Sequence, residues 1–234
     1  MILIKQIVNR SFWGSRDLFS KRSLAARGII WYDYGMEHYD FIGDVHGHAS
    51  RLVKLLEKLG YHAFNGYYGH SNRRVVFVGD LIDRGNENFK TLEMVKAMVD
   101  NGQALIVMGN HEFNALCFHT RGKDGNFLRP HNEKNIRQHK KMLEEIAERG
   151  ENTWKIFLEW FRRMPLFLEM DGFRVVHACW DRQAADFAGS TDIMDAEGRL
   201  TDGFLAEASK KGTEAYDAVE ILLKGKEILL PREH

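Results

Sequence analysis

"RRVVFVGDLIDRG", residues 73–85, decides the fold. Its apolar, β-branched half runs without polar interruption, as a strand covered on both faces does. Its second half packs Asp80, Asp83 and Arg84 into the turn that ends the strand. Gly and Asp are ordinary turn formers, so the turn alone decides nothing about chemistry. The question is whether other strands end the same way.

Upstream, "YDFIG" (39–43) is a short apolar run, and "HASRLVKLLEKLGY" (48–61) spaces Leu52, Leu55, Leu56 and Leu59 as one helical face with Gly60 as its stop. Downstream, "NENFKTLEMVKAMVDNG" (86–102) repeats that pattern, "QALIVMG" (103–109) is a third strand, and "HEFNALCF" (111–118) is helical. Strand, helix, strand, helix, strand predicts βαβ units and a parallel sheet. A polar stretch, "HTRGKDGNFLRPHNEKN" (119–135), is too long for a simple connection. Helices are expected over roughly 133–149 and 152–163, the second carrying Trp154, Phe157, Leu158 and Phe161 and ended by Pro165. "LFLEMDGFRVVHACW" (166–180) predicts a hairpin around Asp171-Gly172, and 202–212 and 213–225 read as helices.

With 33 basic and 33 acidic residues the chain has no net charge to draw it to nucleic acid, and no specific nucleic-acid partner is expected. No apolar run reaches the roughly 20 residues of a membrane span. The two cysteines, Cys117 and Cys179, have no zinc-like spacing and imply no disulfide framework, so a reducing cytoplasm is the default location. Residues 1–35 are Ser- and Arg-rich and poor in acid. They read as a loose extension, a misassigned start ahead of Met36, or a targeting segment, leaving 36–234 as the functional domain.

Every strand ends in a polar cluster: "GDVHG" with Asp44 and His46, "GDLIDRG" with Asp80, Asp83 and Arg84, "GNHE" with Asn110, His111 and Glu112, and "VVHA" with His177. A parallel sheet brings the carboxyl ends of its strands to one edge, where α/β folds place ligands. Carboxylate, imidazole and amide oxygen together suit borderline divalent metals such as Mn, Fe, Zn, Ni or Co. A carboxylate between two ligand sets can bridge two ions, and Asp80 holds that place in chain order. Singly, each cluster has a plain structural reading: a turn, a helix start, a buried histidine. Glu112 reads as structural, and His48 as a helix-start residue. Jointly, four strand ends with metal-compatible groups make chance a poor account.

These four blocks resemble the signature blocks of calcineurin-like metallophosphoesterases. They are closest to the branch holding serine/threonine phosphoprotein phosphatases and symmetrical diadenosine tetraphosphate hydrolases, to which the "DRG" belongs. The resemblance covers roughly residues 38–180. It implies an α/β fold, a two-sheet β-sandwich flanked by helices, and two divalent metal ions, Mn first among the candidates. It assigns Asp44 and His46 to one metal, Asn110 and His177 to the other, and Asp80 to both. Arg84 grips phosphate, His111 is the general acid and Asp83 orients it. The implied reaction is attack of a metal-bridging hydroxide on a phosphate ester or anhydride. The substrate is a phosphoprotein, a dinucleoside polyphosphate or a small phosphate ester.

That branch usually offers one more histidine after the "HA" block, whereas here only His234 follows His177. "KGKEILLPREH" also ends where a second sheet would finish. The alternative expectation is therefore a C-terminally shortened, catalytically impaired scaffold lacking C-terminal strands, which binds metal or a partner. Within the segment at about 120–164, Arg129, His131, Asn135, Arg137 and His139 are placed as a substrate cap, Arg129 and His131 as phosphate contacts, against a solvated loop as the plain reading.

Overall fold

The computed structural model describes residues 8–9, 38–170, 172–190 and 193–226. Apart from Val8 and Asn9, the extension at 1–35 lies outside the described residues, as do Asp171 and His234. The chain runs β1 (Val8–Asn9), β2 (His38–Ile42), α1 (Ala49–Lys58), β3 (His62–Phe64), β4 (Tyr67–Gly69), β5 (Arg73–Phe77), α2 (Asn88–Asp100) and β6 (Ala104–Ile106). It continues through α3 (Asn110–His119), α4 (Glu133–Arg149), α5 (Glu151–Phe161), β7 (Phe167–Met170), β8 (Phe173–Val176), α6 (Arg182–Ser190), α7 (Asp202–Ala208) and α8 (Glu214–Lys224).

The expected parallel sheet is present, in the order β2-β5-β6, with Asp40 opposite Val75 and Val75 opposite Ala104. A strand's side chains alternate between faces, and both faces of β5 are buried. Val76 and Val78 join Leu105 and Val107 in a cluster with Leu168 and Val175 of the β7–β8 hairpin. This is the interior of a two-sheet sandwich. Val75, Phe77, Ile106 and Met108 face the other way, into a larger core with Leu52 and Leu56 of α1 and Leu92, Val95 and Met98 of α2. Each such side chain contributes roughly 1.5–3 kcal/mol by leaving water. That double coverage is why the β5 run reads as continuously apolar.

Helices α4 and α5 belong to the same core, through Met142, Ile146, Trp154, Phe157 and Phe161. α4 also caps α2. The Glu145 carboxylate accepts hydrogen bonds from Asn88 N (2.7 Å), Asn88 Nδ2 (2.6 Å) and Phe89 N (3.0 Å), satisfying donors that a helix start leaves unpaired. The β3–β4 hairpin was not anticipated by the strand–helix alternation. Its turn is Asn65-Gly66 with φ of 47° and 88°, the positive-φ pair that a two-residue hairpin turn favours. Among the described residues no helix is long and apolar enough to cross a membrane.

Candidate metal centre

The turns after β2, β5 and β6 open on one edge of the sheet and are bonded to one another. His46 N donates to the Asp80 carbonyl (2.9 Å), Gly47 N to that of Leu81 (2.6 Å), and Gly85 N returns to that of His46 (2.7 Å). The second and third turns touch backbone to backbone. A Cβ on Gly79 would lie 2.3 Å from Gly109 N, and one on Gly109 would lie 2.3 Å from Asp80 N. Glu112 ties the pair together. Fully buried, its carboxylate accepts from Gly109 N (3.0 Å), Asp80 N (2.8 Å) and Leu81 N (2.7 Å). Burial, with the Asp80 charge beside it, pushes its pKa up against the pull of those N–H groups.

Four described residues other than glycine adopt positive φ, and three of them are His46 (49°), Asp80 (56°) and Asp83 (94°). Such conformations cost on the order of 1–3 kcal/mol each and persist where the surroundings impose them. Here they aim His46 and Asp80 into one space and Asp83 at His111 beside it.

Asp80 divides its carboxylate: Oδ2 lies 3.7 Å from His46 Nε2 and Oδ1 lies 3.4 Å from His177 Nε2. Asp44 Oδ2 is 3.8 Å from His46 Nε2, and Asn110 Oδ1 is 3.2 Å from His177 Nε2. Two donor groups result, each with its ligand atoms within 4.8 Å of one another: Asp44, Asp80 and His177, and His46, Asp80 and His111. Asp80 belongs to both. His177, expected from the "VVHA" block, arrives from β8 in the opposite sheet. Asp44 stands near both histidine sets, grouped with His177 through Asp80 and 3.8 Å from His46 Nε2, while His111 falls beside His46.

Both histidines face the space with the same nitrogen. His46 Nδ1–H donates to the Ile82 carbonyl (2.8 Å), and His177 Nδ1–H to that of Val78. Each Nε2 therefore presents a lone pair, the tautomer a metal requires. His46 Nε2 is buried with no hydrogen-bond partner among the described residues. Burial lowers the His46 pKa, which favours the neutral, ligating form. For Asp80, burial works to raise the pKa; His177, when protonated in the metal-free chain, outweighs it by a hydrogen bond and its charge and lowers the pKa, whereas the neutral, ligating His177 leaves that role to a cation. An O/N donor set with a buried lone pair fits divalent cations.

Beside this space, His111 Nδ1 lies 2.6 Å from Asp83 Oδ2. Burial lowers the His111 pKa, but the hydrogen bond and charge of Asp83, with the charge of Asp80, raise it further and leave a net rise. The other Asp83 oxygen, Oδ1, is 2.6 Å from Nδ1 of His139.

The sequence model for calcineurin-like phosphoesterases matches residues 38–213, three quarters of the chain and all four turns. The chain belongs to the calcineurin-like phosphoesterase family. Among its curated relatives, an asymmetrical bis(5'-nucleosyl)-tetraphosphatase of Oceanobacillus iheyensis is 36% identical over 140 residues, covering 59% of this chain and 54% of that protein. A symmetrical bis(5'-nucleosyl)-tetraphosphatase of a Marinomonas species is 32% identical over 151 residues, covering 62% and 46%. The chain thus spans about half the length of these relatives. A crystal structure of a putative diadenosine tetraphosphatase aligns at 15% identity and a TM-score of 0.40, covering 77% of this chain and 63% of that one.

In this family member Arg84 is exposed at the rim and close enough to His46 for its charge to add to burial in lowering the pKa of that imidazole. A cavity of about 40 Å³ opens beside His111, lined by Asp83, Asn110, Asn114, Arg129 and His139 among others. Arg129 is held there by Asn114 Oδ1 and Gln138 Oε1, both at 2.7 Å. His131 lies apart. Its ring is stacked between Phe118 (3.8 Å) and Phe127 (4.0 Å), its Nε2 donates to the Phe118 carbonyl, and it does not line the cavity. His48 takes the N-cap position of α1. Two contributors were not assigned from sequence, namely the contact of His139 with Asp83 and the hydrogen bond that Asp83 N donates to Asn88 Oδ1 (2.8 Å).

Proposed function

We propose that this chain hydrolyses a phosphate ester or anhydride, with two divalent ions held by Asp44, His46, Asp80, Asn110 and His177. The observation that carries the reading is the Asp80 carboxylate, whose two oxygens face different imidazoles. Bound there, divalent ions supply an acidified water and withdraw charge from phosphoryl oxygens. Mn²⁺ is the first ion to test. Arg84, exposed at the rim, takes the phosphoryl oxygens in its planar fork. His111, protonated with Asp83 behind it, gives its proton to the departing oxygen, a contribution of typically 10²–10⁴-fold. Arg129 and its neighbours from the 120–164 segment cover the leaving-group side.

The relatives' names support a dinucleoside polyphosphate as substrate. Two unpaired cysteines, Cys117 and Cys179, support a cytoplasmic setting. The test is phosphate release from p-nitrophenyl phosphate with added Mn²⁺, comparing the wild type with Asp80→Asn and His111→Asn. Metal-stimulated turnover should be present in the wild type and lost in Asp80→Asn. Wild-type release no greater than that of the variants refutes the reading. Diadenosine tetraphosphate and a phosphopeptide assayed side by side decide the substrate class, with the dinucleotide expected to be the faster.

A further inference from the structure

We propose that His139 is a positioning residue for the acid pair: from α4 it holds Asp83 Oδ1 so that Oδ2 stays on His111. The inference rests on the reading of His111 and Asp83 as the acid and its partner, and adds a residue from outside the four turns.

A carboxylate with one partner can rotate about its own axis and offer either oxygen, or swing away. Asp83 cannot. Oδ2 is 2.6 Å from His111 Nδ1, Oδ1 is 2.6 Å from His139 Nδ1, and the side chain is 5% exposed. Its backbone, at φ 94°, is fixed as well, because Asp83 N donates to Asn88 Oδ1 (2.8 Å). Asn88 is in turn held by Glu145 (2.6 Å). His139 and Glu145 are both on α4. One helix therefore fixes the strained backbone of Asp83 through one side chain and its carboxylate plane through another.

The His139 ring is held from behind. Its Nε2 lies 3.2 Å from His119 Nε2, a hydrogen bond whichever ring supplies the proton, and this keeps Nδ1 turned toward Asp83.

The test uses two substitutions of similar size. His139→Asn carries an amide nitrogen near the Nδ1 position and can still donate to Asp83. His139→Gln carries its amide nitrogen near the Nε2 position and cannot. Each full-length variant, loaded with Mn²⁺, is assayed on phenyl phosphate, whose leaving group needs a proton, and on 2,4-dinitrophenyl phosphate, whose leaving group does not. We expect His139→Gln to lose about 10-fold in kcat on phenyl phosphate and less than about 3-fold on the dinitro ester, with KM unchanged. His139→Asn should recover most of the loss.

Equal losses on both esters, or no recovery with Asn, overturn the proposal. His111→Asn is the control for the underlying reading. If it shows no leaving-group dependence, the acid assignment itself fails, independently of His139. A second readout needs no turnover. In the metal-free protein the His111 Nδ1–H···Asp83 proton should be visible by NMR, and His139→Gln should shift or broaden it. A His111 resonance left unchanged overturns the proposal whatever the kinetics.

Discussion

Gly109→Ala should disable the metal centre while leaving the fold assembled. The backbone of Gly109, at φ −98° and ψ 171°, is one that alanine adopts without strain, so any effect comes from contact alone. The added Cβ would lie 2.3 Å from Asp80 N, 2.4 Å from Asp80 Oδ1 and 2.7 Å from Glu112 Oε2. Ordinary contact begins near 3.4 Å, so the two turns must part by about 1 Å. Overpacking of this kind costs roughly 1–3 kcal/mol. At about 2–4 °C per kcal/mol for a chain of this size, the melting temperature should fall by roughly 2–12 °C. The functional loss should be larger, because a displacement of about 1 Å in a reacting group costs on the order of 10²-fold, and the displaced group is the shared carboxylate. The matched control is Gly102→Ala, where φ is +69° and nothing lies within 4 Å of the new Cβ. It pays only backbone strain, about 1–2 kcal/mol, so it should melt lower and bind metal normally. Differential scanning calorimetry and Mn²⁺ titration calorimetry on both variants separate the terms. If Gly109→Ala binds Mn²⁺ as the wild type does, the contact argument is wrong.

Other outcomes follow from the same contacts. For Asp83, burial works to raise the pKa, but the hydrogen bonds from His111 and His139 lower it further, so its folded value lies below its unfolded one. It therefore contributes stability that is present above about pH 4 and lost as pH falls through the folded value. Asp83→Asn should make the metal-free protein less sensitive to acid, and an unchanged pH dependence of the melting temperature would contradict this. Glu145→Gln weakens the cap that α4 places on Asn88 and Phe89. A loss of about 1–3 kcal/mol is expected for buried donors left poorly paired, measurable as a lower urea midpoint with an unchanged m-value. Gly66→Ala at the β3–β4 turn has free space but φ of 88°. It should cost about 1–2 kcal/mol and leave phosphatase activity unaffected, which an activity assay checks.

What the sequence disclosed follows from how local each signal is. The runs ending in Gly79 and Gly109 are buried on both faces, and continuous apolarity records that directly; the run ending in Gly43 is partly buried and carries Asp40, yet pairs parallel beside them. Their parallel pairing then forces Asp44, Asp80 and Asn110 to one edge, since strand direction alone decides where a carboxyl end lies. The turn at Asn65-Gly66 carried an equally local signal and went unread. The contacts made by α4 were of another kind. His139 and Glu145 lie on a helix whose sequence is mostly charged, and only tertiary packing brings them to residues 56 and 57 positions away. Helical spacing with Asn135, Met142 and Ile146 puts His139 on the buried face of α4, but it does not say that the ring meets Asp83; His131, ahead of the helix, is stacked between phenylalanines. The positive φ of His46, Asp80 and Asp83 is likewise imposed by long-range bonds and not by residue type.

The proposed metal centre depends on one aspartate serving two cations. Titration of the metal-free chain with Mn²⁺, with bound metal counted per chain in the wild type and in Asp80→Ala, tests this directly. The wild type should take up two ions, and Asp80→Ala should lose tight binding of both. A wild type that binds at most one ion, or an Asp80→Ala that still binds two, would contradict it.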